Sequence, residues 1–124
     1  MLKKSLFLVI LCLMFSTYKL NAQENKSQEA ELIFTKPEIL PQFVGGMPAF
    51  SKFFNSRYII PSTFKGNGVS EVTFIVEKDG SLSDIQVVND LGYGTKKELI
   101  RVLKQSPKWL PGKLHGKPVR TSYR

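Results

Sequence analysis

His115 is the one histidine of this chain, and Cys12 its one cysteine. A nucleophile–base pair needs both members within hydrogen-bond reach. Here a thiol at position 12 and an imidazole at position 115 sit at opposite ends of the sequence, and His115 lies in a turn signal, His115-Gly116. No His/Cys cluster has the spacing of a transition-metal site. Asp79, Asp84 and Asp90 lack the spacing of a calcium loop. Gly45-Gly46, Gly66-x-Gly68 and Gly92-x-Gly94 lack the lysine and hydroxyl that a phosphate loop places after a strand. These residues predict a non-enzyme with no metal and no cofactor. What the chain does hold is a constellation for recognition: Pro107-Lys108-Trp109-Leu110-Pro111-Gly112-Lys113, then Gly116-Lys117-Pro118-Val119. A tryptophan between prolines, two turns and a short β-prone run form a device for presenting a strand.

The elements around it follow from periodicity. Pro48 suits the first turn of a helix, and Ala49 to Arg57 reads as a short helix. Met47, Phe50, Phe53 and Phe54 are expected to form one buried stripe on it. Gly68 to Glu77 alternates Val72, Phe74 and Val76 with Glu71, Thr73, Ile75 and Glu77, the pattern of a half-buried strand. Lys78-Asp79-Gly80 signals a hairpin, and Leu82 to Asn89 returns as a second strand. Thr95 and Glu98 have the spacing of a capping box for a helix ending near Gln105, with Leu99, Val102 and Leu103 on its apolar face. Turns are expected at Pro111-Gly112 and near His115-Gly116. Val119 to Arg124 then forms the last strand. The predicted fold is α+β: a small antiparallel sheet of three strands in order 2-1-3, packed on a helix in a β-β-α-β core, with a short helix before it. The third strand lies at the edge, with its outer N–H and C=O groups unpaired. Trp109 is expected in the core, as a plug between helix and last strand, with a stacking platform as the alternative.

The remaining sequence sets the context. Lys3 and Lys4, the apolar run from Leu6 to Phe15 and the small Ala22 follow the order of an export signal. The apolar run is shorter than the roughly 20 residues of a spanning helix. Residues 1–22 read as a signal peptide or short membrane anchor, 23–38 as a polar linker in which Leu32-Ile33-Phe34 adds a brief strand, and 39–124 as the domain. The net charge of +8 is uneven. Residues 1–22 hold three lysines, and Leu91 to Arg124 holds nine lysines and arginines against the single acid Glu98. An export signal argues against nucleic acid as the partner. The basic residues Lys108, Lys113, Lys117, Arg120 and Arg124 flank the proposed edge, as a solvated surface or as an attraction for an acidic peptide.

From Pro41 to Tyr123 the chain resembles the C-terminal domain of TonB, the periplasmic energy transducer of Gram-negative bacteria. The residues that carry the likeness are Phe43-Val44-Gly45-Gly46, Tyr58 with Pro61, Val72-Thr73-Phe74-Ile75-Val76 and Asp79-Gly80-Ser81. Asp84-Ile85, Val87-Val88, Trp109-Leu110-Pro111-Gly112 and Gly116-Lys117-Pro118-Val119 complete it. The resemblance implies that the domain grips the TonB box, an N-terminal segment of outer-membrane receptors, as a strand added beside its last strand. Backbone hydrogen bonds then supply affinity, and side-chain pockets supply selectivity. Carried onto this chain, the peptide-binding residues are Val119, Arg120, Thr121, Ser122 and Tyr123. Trp109, Pro111, Gly112, Gly116 and Pro118 form the supporting motif. In that family an inner-membrane proton-driven complex supplies the force. The apolar N-terminus here is short and has no histidine. No proline-rich spacer follows it, and residues 23–38 extend to only about 50 Å at ~3.3 Å per residue. The strand also stops at Arg124, shorter than in similar domains. The likeness therefore bears on the domain more than on the coupling, and a stand-alone periplasmic interaction module is the alternative. A homodimer is a further open alternative.

Overall fold

The computed structural model describes residues 32–124. The expected signal or anchor, and the linker as far as residue 31, lie outside the described residues. The elements are β1 (Ile33–Phe34), α1 (Gly46–Arg57), β2 (Val72–Val76), β3 (Leu82–Val87), α2 (Thr95–Lys104), β4 (Gly112–Leu114) and β5 (Lys117–Tyr123). Residues 33–124 form one compact unit.

The β2–β3 hairpin closes where Asp79-Gly80 predicted. Glu77 donates its N–H to Ser81 O at 2.8 Å, and Asp79 Oδ1 accepts the Ser81 N–H at 2.9 Å and its hydroxyl at 2.6 Å. Gly80 has φ 86°, the left-handed region that a glycine adopts without Cβ strain. A β-carbon there would also run into the Trp109 carbonyl. Trp109 in turn donates its N–H to Gly80 O at 2.8 Å, so the hairpin tip anchors the chain just before β4.

α1 starts three residues earlier than expected, with Pro48 in its first turn, where a missing N–H leaves no bond broken. Its stripe is not uniformly buried: Phe50, Phe53 and Phe54 are half-buried, but Met47 is 55% exposed. α2 buries Leu99, Val102 and Leu103 as expected. The capping box does not form. Thr95 is the first helical residue and its hydroxyl donates to Gly92 O at 2.7 Å. Glu98 instead accepts from Arg101 Nε at 2.9 Å and from the distant Ile59 N–H at 2.9 Å. Arg101 one turn along the helix and Ile59 outside it hold that carboxylate away from the helix start.

The aromatic core joins the helices to the sheet. Trp109 is 3% exposed and meets Phe43, Phe50, Phe74 and Tyr123 at ring-centroid distances of 5.6, 5.7, 5.3 and 5.1 Å. All four contacts are edge-on, the favoured geometry for aromatic quadrupoles. Its indole N–H donates to Ser106 Oγ at 2.9 Å.

The sheet corrects the expected architecture. It has five strands and is mixed, in order β1-β5-β2-β3 with β4 also paired to β5. The neighbours β3, β2 and β5 occur inside it as an antiparallel set. Two additions explain the difference. Pro111-Gly112 is not a turn: Gly112 opens β4 and pairs with Val119, Lys113 with Pro118 and Leu114 with Lys117. The reversal is made by His115 and Gly116 alone, at φ 51° and 74°, as a two-residue hairpin wants. The second addition is β1, which pairs parallel to β5.

Candidate functional site

β5 is where the sequence placed recognition, and the structure brings most of those residues onto one strand. Val119, Thr121 and Tyr123 turn one way, with Thr121 fully buried and Tyr123 stacked on Phe74 at 5.3 Å. Arg120, Ser122 and Arg124 turn the other way, as period-2 alternation requires. Arg120 Nε donates to Glu77 at 2.7 Å, and Arg124 pairs with Glu71. The Arg120 guanidinium, followed by the Ser83 hydroxyl, holds the Glu77 carboxyl below the usual carboxylate range. These pairs brace β5 against the strand and hairpin beside it.

The supporting motif divides by role. Trp109 is core. Gly112 is buried, and a β-carbon there would run into Thr121 Oγ1, so β4 approaches β5 more closely than a side chain at this position would allow. Pro111 leads into β4, Gly116 is in the turn, and Pro118 sits exposed opposite Lys113. His115 lies in the same turn, its Nδ1 3.2 Å from Glu38. Among the described residues no group of histidine, cysteine and acidic side chains could hold a metal ion.

The open edge expected for the last strand is not open along its length. Ile33 pairs with Arg120 and Phe34 with Thr121, on the side of β5 away from β2. Sequence periodicity missed this because two residues carry no period, and because a parallel neighbour far back in the chain leaves no turn signal. Cover by β1 stops at Thr121. Ser122 and Tyr123 pair with β2 through Ile75 and Phe74, and β1 does not reach them.

The far edge of the sheet, along β3, is shaped differently. Between the pairs Thr73–Gln86 and Ile75–Ser83 the register shifts, and Asp84 holds φ 46°. This β-bulge bends the strand and interrupts the flat row of groups that an incoming strand needs. The two edges therefore differ physically: β3 is distorted, and β5 keeps a regular register but is partly covered. Beside the end of β5 a cavity of about 320 Å³ is lined by Met47, Phe54, Val72, Leu99, Tyr123 and Arg124, among others. Its lining is mostly apolar.

Residues 65–124 match the family model described as Gram-negative bacterial TonB protein C-terminal. This stretch is a TonB C-terminal domain. The matched residues run from before β2 through β5, so they include the bulged edge, Trp109 and the whole of β4 and β5. Phe43-Val44-Gly45-Gly46 and the Tyr58–Pro61 pair precede them. Comparison with curated proteins and with solved structures gives no match. The TonB C-terminal family is a non-catalytic, transport-associated domain, typically periplasmic, and associated in general with outer-membrane receptors. Among the described residues no helix is long and apolar enough to cross a membrane.

Proposed function

We propose that this TonB C-terminal domain binds an extended peptide as an added strand along the outer edge of β5, and that the peptide is the TonB box of an outer-membrane receptor. The observation that carries the reading is the contrast between the two sheet edges: β3 is bulged at Asp84, whereas β5 keeps a regular register, pairs with β4 from Lys117 to Val119, and beyond that is covered by β1 only at Arg120 and Thr121. A guest strand starts opposite Ser122 and Tyr123 and extends over the stretch that β1 occupies. Main-chain bonds supply most of its affinity. The cavity beside Tyr123 offers an apolar seat for one side chain. On this reading the protein is exported, acts in the periplasm and has no catalytic role. Coupling to an inner-membrane proton-driven complex would come through residues outside the described domain.

The test is titration of the isotopically labelled chain with peptides from receptor N-termini, comparing Ser122→Pro and Tyr123→Pro. Successive backbone N–H groups of a strand point to opposite edges, so one of the two prolines removes a bond to β2 and the other removes an outward donor. The outward variant is expected to keep the amide spectrum of β2 and β3 and to lose binding by tenfold or more. Wild-type binding by a folded outward variant would place the docking site elsewhere.

A further inference from the structure

β1 pairs where a guest strand would pair. We propose that β1 is a built-in occupant of the docking edge: the domain holds its own strand against Arg120 and Thr121, and a partner strand engages these residues only by taking β1's place. This rests on the reading that the outer edge of β5 is the docking edge.

Four observations support release of β1. The pairing spans two residues, Ile33 with Arg120 and Phe34 with Thr121, so few bonds are lost on opening. Ile33 is 46% exposed and Phe34 is half-buried, so little apolar surface holds them down. β5 does not depend on β1 for its place, because β2 and β4 pair with it independently. Immediately after β1 the chain is fastened: Pro37 is buried against Gly112, and Ile39 exchanges two backbone bonds with Lys113 at 3.0 and 2.9 Å. Gln42 and Leu110 exchange two more, at 3.0 and 2.8 Å. The strap at 37–42 therefore stays docked while the residues before it swing away.

The fastening also explains why a short, exposed strand stays paired at all. A short tether gives a segment an effective concentration on the order of millimolar at its own site. β1 competes on those terms, and the apparent affinity of any guest falls by the fraction of chains in which β1 is off. The guest that β1 imitates is an extended segment with two adjacent apolar residues, free of proline at both, running parallel to β5.

The probe is a synthetic peptide with the sequence of residues 29–36, titrated into the labelled full-length chain, wild type and two variants. One variant is Ile33→Pro. The other is the double substitution Ile33→Asp with Phe34→Asp, which removes the apolar contacts without adding a backbone constraint. The expected result is binding to at least one folded variant about tenfold or more tighter than to wild type, with amide shifts centred on Arg120 and Thr121. Equal binding to folded variants and wild type overturns the proposal. So does loss of fold in both variants, which would make β1 a structural strand and not a releasable one. The β1 peptide is not a receptor peptide, so the outcomes separate. If the opened chain takes the β1 peptide but no receptor peptide, the occupant stands and the TonB-box reading falls.

Discussion

Trp109 shows how one residue serves the site without belonging to it. Its ring touches four others and its backbone N–H is bonded to Gly80, so it locks the hairpin tip, the helices and the start of β4 together. Trp109→Ala is expected to cost ~3–5 kcal/mol, the range for large buried aromatics, read as a lower urea midpoint. A stable, soluble variant would contradict the core placement. Glu98 makes a different prediction. The Arg101 guanidinium, followed by the Ile59 N–H, lowers its carboxyl from 4.5 to about 2. A carboxyl depressed in the fold contributes stability above its ordinary value and loses it as pH falls toward its folded value. Wild type should therefore lose more stability than Glu98→Gln between about pH 5 and about pH 2.5. Parallel denaturation curves for the two proteins across that window would remove Glu98 as the source.

At the scale of elements, β4 decides how β5 is held. Gly112 is the contact point: its missing side chain lets β4 pair with Val119 beside the buried Thr121. Gly112→Ala forces a methyl group into that space, and overpacking of this kind costs about 1–3 kcal/mol. The expected readout is a lower melting temperature with faster amide exchange in β4 and β5 and little change in α1. Unchanged exchange at Val119 would mean that the strands do not need this closeness. The sequence marked Gly112 as a turn residue because proline followed by glycine is turn chemistry in most settings. Here the glycine is required by approach, with no positive φ.

At the scale of the whole molecule, charge sets the approach of a partner. The chain carries +8, and Lys113 and Lys117 are exposed beside β5. Arg120 and Arg124 are tied to Glu77 and Glu71, so they hold the sheet more than they attract a ligand. Binding of an acidic peptide should slow about tenfold in association between roughly 0.05 and 0.5 M salt, with dissociation little changed, because rim charges act on encounter. Stopped-flow measurement checks this; an association rate indifferent to salt would leave the basic residues as a solvated surface.

Local pattern determined much of this protein. The strand from Val72 to Val76, the Asp79-Gly80 hairpin, the Leu99/Val102/Leu103 face and the order of motifs around Trp109 each bear on neighbours only a few residues apart, and each is found in place, although β2 buries Ile75 as well as Phe74 and Val76 and so does not alternate. Tertiary packing alone decided what covers β5, which turn glycine became a strand, and that the Glu98 carboxylate reaches Ile59. Those outcomes join Ile33 to Arg120, Gly112 to Thr121 and Ile59 to Glu98. Contacts at such separations follow from which surfaces meet, and no short period in the chain encodes them.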